Sequence, residues 1–254
     1  MSRAPSGDRL DVHLICGGRW HDFDFARLQL LGMLAEHDHV RTSVADDYGA
    51  LASHRPDVLI TYCCDVRPSV AQQLTVSEFV DDGGTWIALH GTMAVLARTA
   101  QGMAAPRVLE ALVPVLGAQF IAHPPIAPHY VDIVDPTHPL VAGMAGFEVT
   151  DELYLLKQTD PARNHVILST RWRGGAVRGF CDTDWDDADW QPVLYERRVG
   201  NGLVVALTLG HCRGHYDMQP EIEFYDNVER GAWTSPEFTT IVQRAIQRAV
   251  TRPT

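Results

Sequence analysis

The sequence predicts an α/β fold: a doubly wound, mostly parallel sheet flanked by helices, completed by a C-terminal β-hairpin and helix. Three observations carry this. From Leu10 onward, short apolar runs rich in β-branched residues alternate with longer segments of helical period, the pattern of βα units around a parallel sheet. The run from Thr85 to Leu89 is nearly all apolar and does not alternate, as a central parallel strand covered on both faces requires. Gly200-Asn201-Gly202 separates two apolar runs, Val193 to Arg198 and Leu203 to Leu209, a strong short-range hairpin signal.

Taken in order, Asp11 to Cys16 reads as a first strand ending at Gly17-Gly18, and Phe25 to His37 as a helix with Leu28, Leu31 and Leu34 at helical spacing. Val40 to Val44 is a short second strand, and Val58 to Tyr62 a third, announced by Arg55-Pro56-Asp57. A helix follows from about Pro68, with proline in the tolerated first turn, and stops at Gly83-Gly84. Beyond the fourth strand, Thr85 to Leu89, Arg107 to Leu116 reads as helical. Ala127 to Val134 and Val149 to Leu156 read as extended, and Glu237 to Val250 closes the chain as a helix. Met1 to Arg9 is polar and is expected to be a flexible tail. Nothing divides residues 10–254, so a single domain is expected.

The 254 residues include 46% hydrophobic and 21% charged positions, ordinary globular usage. A net charge of −11 repels phosphate backbones and anionic lipid, so neither nucleic acid nor membrane is an expected partner. No apolar run reaches the length of a spanning helix and the N-terminus lacks a secretory pattern, which makes the cytoplasm the expected location. Five cysteines without C-x-x-C spacing argue against a disulfide framework or a zinc ribbon.

In a doubly wound sheet the ligand sits outside the carboxyl ends of the strands. Those ends hold Trp20-His21-Asp22, Cys63-Cys64-Asp65, His90-Gly91-Thr92 and the run Gly210-His211-Cys212-Arg213-Gly214-His215. His90 has the sharpest context: an apolar strand, then His-Gly, then a helix start, the layout of a nucleophile elbow with imidazole where serine or cysteine would stand. Imidazole there supplies general acid/base or metal-ligand chemistry and removes the acyl-enzyme route. Each histidine alone reads more readily as a cap or a satisfied polar neighbour than as a catalyst; their coincidence at strand ends favours a site. Asp182-x-Asp184-x-Asp186 begins like a calcium loop, but Asp187 and Val193 stand where Gly and Glu are required, so it reads as a solvated acidic loop. Cys63, Cys64 and Cys212 read as buried structural thiols. His138-Pro139 reads as a rigid turn, and His37, His39, His54, His129 and His165 as surface or strand-edge residues.

Six motifs in order then resemble one family: Gly17 to Phe23; Asp82 to His90; Gly117 to Pro124; His138 to Gly143; Thr150 to Tyr154; and Gly200 to His211. Together they are similar to the ThuA-like family, named for trehalose utilisation, over about residues 11–233. The resemblance implies a class I glutamine amidotransferase-like (flavodoxin-like) fold without the elbow cysteine, and a role in carbohydrate metabolism. Its histidine-and-acid cluster falls here on His21, Asp22, His90, His123, Glu152 and His211. Trp20 stands where a second histidine or a small residue is common, and Gly179 to Trp190 is unusually acidic.

The expected function is action on a sugar or sugar derivative, as a hydrolase or lyase and not as a glutamine amidotransferase. His90 and His211 would handle protons, and Glu152 would orient one of them or act as a base. Trp20, Tyr154 and Trp185 would offer flat faces to a sugar ring, with His215 beside them. The alternatives are a non-catalytic small-molecule or carbohydrate-binding sensor on an amidotransferase-like fold lacking the cysteine nucleophile, and a cysteine-dependent amidohydrolase. A zinc or other divalent ion is a candidate cofactor, with His21, His90 and His211 as first-choice ligands and His123 or Glu152 next. A metal-free histidine cluster and a homo-oligomeric state both stay open.

Overall fold

The computed structural model describes residues 9–174, 177, 179–186 and 189–251; the expected tail, apart from Arg9, lies outside them. The chain runs β1 (Leu10–Gly18), α1 (Phe23–Leu34), β2 (Val40–Ala45), β3 (Val58–Cys64), α2 (Val70–Asp81), β4 (Thr85–Leu89), β5 (Ala97–Thr99) and β6 (Gly102–Ala104). It continues through α3 (Val113–Leu116), β7 (Ala118–Ala122), β8 (Ala127–Ile133), β9 (Phe147–Asp151), β10 (Leu155–Gln158), β11 (His165–Arg171), β12 (Trp190–Val199), β13 (Gly202–Leu207) and α4 (Pro236–Val250). Among the described residues, nine strands form one sheet in the order β2-β1-β3-β4-β13-β12-β11-β8-β9. The first five run parallel; β12, β11, β8 and β9 extend the sheet antiparallel.

Alternate residues of the central strands feed two separate cores, which is what double winding means physically. Val12, Leu14, Ile60, Tyr62, Ile87 and Leu89 pack beneath α1 and α4. Ile15, Leu59, Trp86 and Ala88 pack against α2 and the α3 region on the other face. With both faces buried, the strands read as apolar runs without a polar stripe. Trp86 is fully buried and its Nε1 donates to Thr61 Oγ1 at 2.9 Å, so the one polar atom of that side chain is satisfied.

The helix ends follow capping chemistry. Ser69 and Gln72 form a reciprocal capping box at α2, so Pro68 precedes the N-cap and does not occupy the first turn. Arg107 to Leu116 is not one helix: only Val113–Leu116 is helical. Pro114 lacks an N–H and is tolerated only in a first turn, so the helix cannot extend back through it, and Gly117 at φ +84° ends it. Val149 to Leu156 is two strands. β9 pairs with β8 in the large sheet, whereas β10 pairs with β7 in a separate ribbon, and residues 152–154 cross between them. β5 and β6 form a further small hairpin. Among the described residues, no helix is long and apolar enough to cross a membrane.

Candidate metal centre

The carboxyl edge of the parallel strands is strained. Trp20 after β1, Asp65 after β3 and His90 after β4 have φ of +68°, +56° and +45°, a region that costs a non-glycine residue about 1–3 kcal/mol. His90 opens a single 3-10 turn, His90–Met93, directly after extended Leu89. This is the elbow the sequence predicts. A Cβ at Gly91 would lie 2.4 Å from the Cys63 carbonyl oxygen, so only glycine lets the elbow sit this close to β3.

Each of three buried imidazoles is oriented by an outward hydrogen bond. His90 Nδ1 donates to the Thr208 carbonyl at 2.7 Å, His21 Nδ1 to the Arg19 carbonyl at 3.3 Å, and His211 Nε2 to Glu229 Oε2 at 2.6 Å. A carbonyl or carboxylate only accepts, so the protons sit on the outer nitrogens and the inner ones present lone pairs. The inner atoms converge: His90 Nε2 lies 2.9 Å from His21 Nε2 and 3.4 Å from Glu152 Oε2. His211 Nδ1 lies 3.1 Å from Glu152 Oε1 yet is a buried nitrogen without a hydrogen-bond partner. Tyr154 Oη is 3.1 Å from His90 Nε2. One ligand atom from each of His21, His90, Glu152 and His211 falls within 4.8 Å of all the others, and all four residues are buried.

Three inward lone pairs and a carboxylate cannot face one another without a positive charge among them. A proton on His211 can supply it: burial opposes the charge there, but Glu152 and then Glu229 overcome that and lift the imidazole to about 9. His21 is held well below the usual histidine range, by burial first and then by His90 and His211. Burial would raise the Glu152 carboxyl, but His123 and His211 hold it well below the usual carboxylate range. A divalent cation can supply the same charge. The donor set of three nitrogens and one carboxylate, each histidine fixed from outside by a carbonyl or carboxylate, fits zinc-like ions.

Two further carboxylates, not singled out in the sequence, hold this cluster. Asp151 Oδ1 accepts from the backbone N–H of Glu152 and His211, and Oδ2 from those of Gly210 and Ala232, at 2.7–3.0 Å. Glu229 also accepts from Arg213 Nη1 at 3.1 Å and Tyr225 Oη at 3.0 Å. Arg213 and Glu229 exchange backbone hydrogen bonds of 2.9 and 2.8 Å, pinning the ends of the segment between them. Met218, Glu221 and Ile222 of that segment line a cavity of about 380 Å³ together with His21, Glu152, Trp20, Phe120 and Tyr154.

Residues 18–234 match the family model for ThuA, described as trehalose utilisation. The chain belongs to the ThuA family. Two solved structures share its fold. A ThuA-like protein of Bacteroides uniformis ATCC 8492 matches at 14% identity and TM-score 0.64, over 98% of this chain and 93% of that one. A ThuA-like protein of Parabacteroides merdae ATCC 43184 matches at 13% identity and TM-score 0.61, over 96% and 90%. No curated protein matches the sequence.

Of the residues expected at this ThuA site, His21, His90, Glu152 and His211 form the cluster, while Trp20, His123 and Tyr154 line the cavity. His123 Nε2 is 3.7 Å from Glu152 Oε1, outside the four-residue set. Three residues are elsewhere. Asp22 caps α1 by accepting from Phe25 N at 3.0 Å and pairs with Arg230 at 3.0 Å. Trp185 packs against the small cluster of Ala122, Leu153 and Leu155 and is not a cavity residue. His215 stacks on Phe224 at 4.6 Å, and its Nδ1 donates to the Tyr225 carbonyl. Asp182 and Asp184 pair with Arg107, and Asp184 and Asp186 with Lys157, as a solvated acidic loop would; Asp187 lies outside the described residues. Cys63, Cys64 and Cys212 are buried, and burial pushes the Cys212 thiol up to about 12. Cys64 faces the cavity, but burial holds its thiol well above the usual range.

Proposed function

We propose that this ThuA-family protein is an enzyme of carbohydrate metabolism that acts on a sugar or sugar derivative by hydrolytic or lyase chemistry. The observation that carries the reading is the convergence of three imidazole lone pairs and a carboxylate beside a cavity with aromatic walls. Trp20 offers a ring face on which the C–H face of a pyranose can rest, whereas the Tyr154 ring is stacked on His90 at 4.7 Å and packed against Phe120 at 4.5 Å. His123 Nδ1 donates to the Pro124 carbonyl at 2.7 Å, which leaves Nε2 as an acceptor in the cavity wall, suited to take a proton from a substrate hydroxyl or carbon acid. Tyr154 Oη, beside His90 Nε2, can hand a proton the other way. His21, His90, His211 and Glu152 would hold a divalent ion, which supplies Lewis-acid polarisation of a substrate oxygen and lowers the pKa of water. The buried high-pKa thiols and the imidazole in the elbow count against cysteine-dependent amide hydrolysis.

The test has two arms. Untagged protein is analysed for transition metals: about one equivalent, lost to a chelator together with activity, is expected, and less than about a tenth of an equivalent would remove the ion. Wild type, His90→Ala and His211→Ala are then assayed on glycosides, oxidised glycosides and amides. Turnover of a glycoside by wild type alone is expected. Ligand binding without turnover by any form would make the protein a sensor.

A further inference from the structure

Two arginines, Arg98 and Arg213, stand in the cavity wall, and the protein uses neither of them fully. The Arg213 side chain is only 13% exposed and lies over the Tyr225 ring at 5.3 Å. Its Nε donates to the Trp20 carbonyl at 3.4 Å and its Nη1 to Glu229 Oε2 at 3.1 Å, so the guanidinium fork is held in place. Among the described residues Nη2 has no hydrogen-bond acceptor, since Glu152 Oε1 at 4.0 Å is out of reach. The Arg98 side chain is exposed and meets Glu221 Oε1 at 3.8 Å, an oxygen that Arg19 already takes at 2.9 Å.

Neither cavity arginine has a carboxylate to itself. Glu221 is shared with Arg19, and Glu229 Oε2 also takes His211 Nε2 at 2.6 Å. Glu152, the other acid of the wall, faces His211 Nδ1 at 3.1 Å. Resting on the sugar reading above, we infer that the substrate is an acidic sugar, a uronic acid or its glycoside, whose carboxylate is bound by Arg213 Nη2 with Arg98 as a second cation on the same wall. A neutral hydroxyl would accept from Nη2 but leave the guanidinium charge shared as before. A carboxylate accepts and neutralises together, and a hydrogen bond between ionised partners is about twice as strong as a neutral one. One fixed nitrogen and one exposed arginine suit a single negative charge; a phosphate brings nearly two charges and three acceptor oxygens.

The test is calorimetric titration of the full chain, as purified, with methyl glucuronides and galacturonides of both anomers, the matching methyl glucosides and galactosides, glucose 6-phosphate, galactose 6-phosphate and acetate. At least one uronide is expected to bind about tenfold more tightly than its neutral counterpart, the size of a charge-assisted hydrogen bond. Arg213→Gln is expected to bring that uronide-to-neutral ratio down to about one, and Arg98→Gln to lower it several-fold. The ratio is taken within each variant, so a general loosening of the site cancels, and Arg98→Gln, an exposed change, decides if Arg213→Gln fails to fold. A neutral glycoside binding as tightly as every uronide overturns this inference and leaves the sugar reading in place. A sugar phosphate binding more tightly than every uronide, acetate binding as tightly as the uronides, or a wild-type ratio in either variant also overturns it. Absence of binding by every sugar, acidic or neutral, overturns the sugar reading and this inference with it.

Discussion

Replacing Asp151 by asparagine exchanges one carboxylate oxygen for an NH₂ and isolates the contribution of one buried carboxylate. Asp151 is 1% exposed, and each of its oxygens accepts two backbone N–H groups. Asparagine keeps one accepting oxygen and puts an NH₂ where the other was, so in either amide orientation two backbone N–H groups face a donor. An orphaned buried donor costs about 1–3 kcal/mol, which makes the expected loss about 2–6 kcal/mol. The upper half of that range is favoured because the original bonds are charge-assisted. Against a total stability of about 5–15 kcal/mol this is a large fraction. Urea denaturation of metal-free wild type and Asp151→Asn measures it, provided the slope with denaturant is unchanged. A loss below about 1 kcal/mol would refute the reasoning, since it would mean that the four amides find other partners. The same variant should bind zinc more weakly, because Asp151 fixes the backbone of Glu152 and His211.

Glu229→Gln keeps an acceptor for His211 Nε2 but removes its charge, and is expected to weaken zinc affinity about 10–100-fold in chelator competition with little change in Tm; unchanged affinity would deny Glu229 its positioning role. His13 has its folded pKa lowered from 6.5 by burial and then by His54, with Nδ1 2.7 Å from Ser43 Oγ. The unfolded chain therefore takes up this proton first, so stability is full above about pH 6.5 and falls as pH drops towards the depressed folded value. His13→Gln should flatten the fall in denaturation midpoint between pH 7 and 5, and an identical slope would dismiss the linkage. Among the five cysteines Cys181 is exposed and the others are buried. Iodoacetamide should label native protein at Cys181 alone within minutes, read by peptide mass spectrometry, and rapid labelling of Cys64 or Cys212 would revive thiol chemistry.

The elbow at His90 was legible because a continuous apolar run ending in His-Gly admits few other structures. His21 and His211 were legible because double winding brings strand ends together whatever their separation in sequence. Asp151 and Glu229 left no such mark: the groups they hold include backbone N–H groups and an imidazole from up to 81 residues away, and no local period encodes that. Asp22 did carry a local sign, an aspartate directly before a helix, and its capping role takes precedence over the cluster the resemblance assigns it. Trp185 lies in a segment without periodicity, where an aromatic side chain reads the same whether it covers core or lines a cavity. The misread helix at Arg107 to Leu116 shows apolar spacing overruled by a single proline, Pro114, acting on the turn before it.

The paired backbone hydrogen bonds between Arg213 and Glu229 make the segment between them a detachable module. Chain leaves and re-enters the framework through a single gate, so lengthening or shortening the excursion shifts little strain to His211 on the framework side. Doubling such a loop costs only about 0.6 kcal/mol in closure entropy. Met218, Glu221 and Ile222 travel with the excursion, while the imidazoles and Glu152 do not. The cavity lining can therefore be rewritten by exchanging this one stretch of chain, with the four clustered residues left where they are.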